Sequence, residues 1–123
     1  MDRRISSTRR VVSVIRELVD PEVPLQQLAL LLLIAEAGEE GITMPDAGDK
    51  LGMGQTSVSK NAKALGRYAE QHGGFMTIKG LELVEARPDL LERRRLRMTL
   101  TPKGERVIKR IMDEVSSGSL QAG

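Results

Sequence analysis

The chain has no cysteine, no tryptophan and a single histidine among 123 residues. Without thiols it can form neither disulfides nor thiolate metal sites, and it has no thiol for redox sensing. One histidine cannot make a protein-only zinc site of the usual kind, so His72, beside Gly73-Gly74, reads as part of an exposed turn. Tyr68 and Phe75 are the only aromatic residues. The core must therefore be aliphatic, and modules that stack single-stranded bases on aromatic platforms are disfavoured. No serine-histidine-acid set, phosphate loop or metal cluster is present, which speaks against an enzyme; neither a cofactor nor a metal is expected. The apolar run Leu28 to Ala35 is too short to span a bilayer, and the arginine-bearing N-terminus lacks the apolar core of a signal peptide. The expectation is a soluble, cytoplasmic protein without membrane association.

What is present fits one domain over residues 1–123, with 40% apolar and 29% charged residues. A formal net charge of +2 hides a strong segregation. Residues 1–16 carry five bases against one acid, 17–54 one lysine against eight acids, and 55–110 thirteen bases against six acids. A weak total can coexist with a strongly positive face, and phosphate binding depends on the face.

Helical spacing of Ile5, Val12, Ile15 and Val19 predicts a first helix over 4–19, ended by Pro21 and Pro24. Leu25 to Ala37 is apolar almost all round, as a central core helix would be, with Gly38 as its C-cap. Gly41-Ile42-Thr43 allows a short strand. Thr43-Met44-Pro45-Asp46 then resembles a capping box opening a third helix, Met44 to Leu51. Gly52 and Gly54 bracket a turn. A fourth helix is expected from Gln55 to about Glu70, stopped by His72-Gly73-Gly74. Leu81 to Arg87 and Leu96 to Leu100 alternate like strands, and the helix after Thr101-Pro102 carries an apolar face of Val107, Ile108, Ile111, Met112 and Val115. Residues 116–123 read as frayed.

Two of these pieces point to one chemistry. Leu51-Gly52-Met53-Gly54 leading into Gln55-Thr56-Ser57-Val58-Ser59-Lys60-Asn61 is the pattern by which a helix-turn-helix offers its second helix to a DNA major groove. Base edges there are read by amide, hydroxyl and basic side chains, which makes Gln55, Thr56, Ser57, Ser59, Lys60, Asn61 and Lys63 the candidate readers. Val58, Ala62 and Leu65 mark the inward side, leaving Gln55, Thr56, Ser59, Lys60 and Lys63 nearer the outside. Downstream, Arg87 to Arg97 reads as two strands joined by a charged tip, a wing. Arg94 first, then Arg93 and Arg95, suit a narrow groove of concentrated negative potential, with Glu92 placed to orient Arg94. Arg87 could meet phosphate or an acid of the hairpin. A solvated helix face and a solubilising charge run are the plainer readings of both pieces, and their adjacency is what favours DNA.

The order helix, helix, short strand, helix-turn-helix, hairpin, helix resembles the MarR family of transcriptional regulators over roughly residues 5–115. The resemblance is carried by Leu83-Val84-Glu85-Ala86-Arg87-Pro88-Asp89, Glu92-Arg93-Arg94, Leu100-Thr101-Pro102-Lys103-Gly104, and Leu51-Gly52-Met53 running into Thr56-Ser57-Val58-Ser59-Lys60. It differs in having Glu92 where the family usually has aspartate, a shorter C-terminus, and about a dozen additional residues around Gly66 to Gly80. The resemblance implies an α+β, mostly helical winged helix-turn-helix with a two-stranded wing and flanking dimerisation helices. It also implies a homodimer joined through Ile5, Val12, Ile15, Val19, Ile108, Ile111, Met112 and Val115. A double-stranded palindromic site and repression of transcription would follow. Relatives often bind phenolic effectors near the dimer junction, although no pocket of that kind is visible in this sequence. Replication or partition proteins and protein-interaction modules share the winged-helix form and are the competing reading.

Overall fold

Proline and glycine punctuate the first half of the chain, and the three helices between residues 25 and 65 each begin or end beside one. Pro24 precedes α2 (Leu25–Ala37), whose C-cap is Gly38 at φ 67°. Thr43 caps α3 (Met44–Leu51), accepting from the Asp46 amide at 3.3 Å, and α3 closes on Gly52 in the left-handed region. Gly54 precedes α4 (Gln55–Leu65). The computed structural model describes residues 2–122, with side chains for 2–118. It divides into two compact units, Pro24–Glu105 and Met1–Val23 with Arg106–Gly123.

In the first unit, α2 packs against α3, α4 and strand β5 (Leu96–Leu100). Leu30, Leu31, Ile34, Ala47, Val58, Leu65 and Met98 are all at 0% exposure, so the core is aliphatic as the composition demands. β1 (Ile42–Thr43), β5 and β4 (Val84–Pro88) form a three-stranded antiparallel sheet in that order, with Ile42 opposite Met98 and Val84 opposite Leu100. Leu25 and Leu32 stay exposed, so α2 is less enclosed than its composition suggests.

Two boundaries differ from the sequence reading. The fourth helix was expected to reach about Glu70; it ends at Leu65, where the Gly66 amide bonds back to Ala62 and Lys63. The expected end of that helix and the residues after it instead form β2 (Tyr68–His72) and β3 (Phe75–Lys79), a separate two-stranded sheet. Gly73 and Gly74, at φ 51° and 95°, supply the paired left-handed residues of a two-residue hairpin turn. The following strand begins at Val84 rather than Leu81. The amides of Leu81, Glu82 and Leu83 instead bond the carbonyls of Ala64, Gly66 and Leu65 at 2.8–3.0 Å, clipping that segment to the end of α4.

The second unit holds α1 (Arg3–Leu18) and the greater part of α5 (Pro102–Ala122). α5 continues through the segment read as frayed; Gly123 lies outside the described residues. Its glycine has a use there, since a Cβ on Gly118 would lie 2.8 Å from that of Ser7, so only a bare backbone lets the two helices approach. Arg10 Nε lies 3.6 Å from Glu114 Oε1 across the same pair.

Candidate nucleic-acid interface

The turn between α3 and α4 is tight because of Gly48 and Gly52. A Cβ on Gly48 would meet the Met53 carbonyl at 2.7 Å, and the Met53 amide bonds back to the Gly48 carbonyl at 2.9 Å across Gly52. This fixes where α4 starts. No side chain caps its first turn, which leaves amide donors open at the positive end of the helix dipole.

Burial divides α4 into the two sides that its spacing predicts. Val58, Ala62 and Leu65 point into the core. Gln55, Thr56, Ser59, Lys60 and Lys63 line an open groove of about 650 Å³, together with Ala64 and Tyr68. Among the described residues neither lysine has a carboxylate partner, so both present full charge to whatever enters. Ser57 and Asn61 lie apart from that groove. The Ser57 hydroxyl donates to Gln26 Oε1 at 3.2 Å, and Asn61 Nδ2 donates to the Ser57 carbonyl at 2.9 Å, forming a chain toward α2.

The wing is β4, β5 and the turn between them, with Arg87 opposite Arg97 and Pro88 opposite Leu96. Its organiser is Asp89, a buried carboxylate. Asp89 Oδ1 accepts from Arg97 Nε at 2.8 Å and Oδ2 from the Glu92 amide at 3.2 Å, while the Asp89 amide bonds the Arg95 carbonyl at 2.8 Å. Arg97 Nη1 continues to the carbonyls of Glu40 and Gly41, at 2.9 and 3.2 Å. The Arg97 guanidinium, opposed in part by desolvation, holds the Asp89 carboxyl below its ordinary range. Glu92 does not orient Arg94 by an ion pair; its backbone closes the turn, and the acid that braces the tip is Asp89. Arg93, Arg94 and Arg95 are exposed and, among the described residues, free of acid partners. Arg87 pairs with Glu85 at 3.1 Å.

Of the apolar residues expected at a subunit junction, Ile15, Val19 and Ile111 are already buried within the chain and Ile108 is half-buried. Ile5, Val12, Met112 and Val115 remain exposed.

Sequence reasoning missed two features. Asp89 and Arg97 were passed over because an acid and a base eight residues apart carry no local signature until a hairpin register brings them together. Tyr68 was placed inside a helix. The alternation either side of Gly73-Gly74 was the available signal for its strand.

A helix-turn-helix with a free polar and cationic helix face, beside a two-stranded hairpin tipped by arginines, is a winged-helix protein. Its fold is similar to that of solved MarR-family regulators. A structure of MepR from S. aureus in complex with DNA superposes with a TM-score of 0.65 at 16% identity, over 93% of this chain and 82% of that one. A MarR family transcription regulator is 26% identical over 97% of this chain and 70% of its own, with a TM-score of 0.58. The PcaV transcriptional regulator from Streptomyces coelicolor, in complex with its natural ligand, gives 0.56 at 19% identity, over 91% and 72%. No protein-family model and no curated protein matches the chain. The fold is the mostly helical winged helix expected from the sequence, and among the described residues no helix is long and apolar enough to cross a membrane.

Proposed function

We propose that this chain is a sequence-specific double-stranded DNA-binding transcription regulator of MarR type, with no catalytic step, acting in the cytoplasm. The observation that carries the reading is the pairing of two free cationic surfaces in one unit: the α4 face with Lys60 and Lys63, and the wing tip with Arg93 to Arg95, held by Asp89. In that reading Gln55, Thr56 and Ser59 meet base edges, the lysines meet phosphate, and Arg94 enters the minor groove beside it. Ser57 and Asn61 support the helix from behind, and Arg87 adds a phosphate contact from the wing strand.

The protein works as a homodimer that represses by covering a palindromic site. The exposed Ile5, Val12, Met112 and Val115 support this, since an apolar stripe left open on paired terminal helices favours a second copy. A two-fold dimer would set the two α4 helices about 34–36 Å apart, one turn of duplex. A small-molecule effector enters the proposal through likeness alone, because PcaV binds a natural ligand.

Selection from a random duplex library at two salt concentrations tests the reading. Recovery of a palindromic motif whose affinity falls with salt, and falls further on Arg94→Ala, is the expected result. Retention without any motif points to an architectural or partition protein. No retention at low salt would defeat the DNA-binding reading outright.

A further inference from the structure

The β2–β3 hairpin has no task in the fold. Its strands pair only with each other, from Tyr68 opposite Lys79 to His72 opposite Phe75. Every residue of the two strands is exposed except Glu70. A ribbon of this size is marginal by itself, and this one adds nothing to the core. It is nonetheless braced. Glu70 Oε2 lies 2.7 Å from Lys79 Nζ and Oε1 lies 3.3 Å from His72 Nε2. Its root is fixed to α4, because the Leu81 to Leu83 amides clip onto the last carbonyls of that region, and a Cβ on Gly80 would strike the Gly66 carbonyl oxygen.

The register sorts its side chains. Tyr68, Glu70, His72, Phe75, Thr77 and Lys79 share one face; Ala69, Gln71, Met76 and Ile78 share the other. Both aromatic residues of the chain and its one histidine therefore lie on a single face of the ribbon, with its lysine. Tyr68, at the root of that face, lines the same groove as Gln55, Thr56, Ser59, Lys60 and Lys63. The ribbon is thus continuous with the α4 surface at the end opposite its uncapped first turn.

We propose that the ribbon is a second wing, which takes the sugar–phosphate backbone of one DNA strand along its Tyr68–Lys79 face. The inference rests on the DNA-binding reading and extends it to a flank that α4 and the first wing do not reach. Lys79 spends one ammonium donor on Glu70 and keeps two for phosphate. The hydroxyls of Tyr68 and Thr77 add neutral donors, and the rings of Tyr68 and Phe75 offer apolar surface to deoxyribose. Arg67, at the root, is matched by Glu82 at 3.5 Å, so Lys79 is the cation this face offers to a phosphate.

The test uses the full chain on the duplex recovered by selection, and a variant with residues 68–79 replaced by Asn-Gly. Two residues span the gap because Tyr68 and Lys79 are cross-strand partners. Hydroxyl-radical footprinting should show sugars at the flank protected by the full chain and free with the variant, while protection from α4 and the arginine wing persists. Lys79→Ala, which leaves the strands in place, should lower the salt slope by about 0.9 per subunit, or about 3.5-fold less affinity lost between 50 and 200 mM salt. Identical footprints and slopes for parent and both variants would overturn the second wing while leaving the DNA-binding reading intact. So would a changed oligomeric state with DNA contacts unaltered, which would assign the ribbon to protein contact through Met76 and Ile78. Absence of any footprint from the full chain would overturn both.

Discussion

Adding one methyl group at Gly104 should test the close approach of the first turn of α5 to Leu83. Two effects of opposite sign meet there. Alanine favours a helix over glycine by about 1 kcal/mol, so propensity alone predicts stabilisation. Against this, a Cβ at Gly104 would strike the Leu83 carbonyl oxygen, which is backbone and cannot swing aside. That same oxygen accepts from the Thr101 amide at 3.0 Å. Around it the Thr101 hydroxyl donates to the Glu82 carbonyl at 2.7 Å and accepts from the Gly104 amide at 3.0 Å, while Lys103 Nζ donates to the Leu81 carbonyl at 3.1 Å. Withdrawal of the helix start would loosen these together. Overpacking of this kind costs about 1–3 kcal/mol, and each bond lost about 1 kcal/mol. The net expectation for Gly104→Ala is a loss of about 2 kcal/mol, since the propensity gain offsets only part of the sum. Urea unfolding followed by circular dichroism reads it directly. With a slope of about 2 kcal/mol/M the midpoint should fall by about 1 M. An unchanged or raised midpoint would refute the close approach, because propensity would then have won.

Leu30→Ala, at a site with no exposure, should cost about 3–4 kcal/mol by the same assay, whereas Leu25→Ala on the open face of α2 should stay within about 0.5 kcal/mol. Lys60→Ala and Lys63→Ala should each flatten the dependence of log affinity on log salt by about 0.9 per subunit, without changing the recovered motif. An altered motif would make them base readers instead. Because the Asp89 carboxyl is held below its ordinary range, its contribution is full at neutral pH and is lost only as pH falls through that lowered value. Asp89→Asn should remove this acid-dependent loosening of the wing, followed by amide exchange at Glu92 and Arg95 as pH is lowered. Persistence of the same pH dependence in the variant would assign it to another group.

How much was legible follows from the range of each signal. Val58, Ala62 and Leu65 against Lys60 and Lys63 is a period a few residues long, and it placed both the inner and the open side of α4. Caps are equally local, which is why Thr43 and Gly52 marked α3 to the residue. The ribbon was missed because lysine-rich helix and alternating strand run together at Gly66, with no proline between them. The glycine pair is legible as a turn, but the alternation on either side of it, which makes that turn a hairpin, is only five residues long on each strand. Asp89 with Arg97 was out of reach for a different reason: their partnership exists only in the register of β4 on β5. Leu100 to Gly104 was legible as a resemblance, but its physical role as a latch on Leu81 to Leu83 needed the fold.

Arg97 reaches from the wing to the carbonyls that immediately precede β1, and β1 leads without a break into α3. The wing tip and the helix-turn-helix therefore hang from one bracket, whose dimensions are set when the chain folds. If the chain binds DNA as proposed, such a part would act as a fixed-gauge calliper, measuring the separation between a stretch of major groove and the neighbouring minor groove. In that reading, operators with one base pair inserted between those contacts would present correct letters at the wrong gauge.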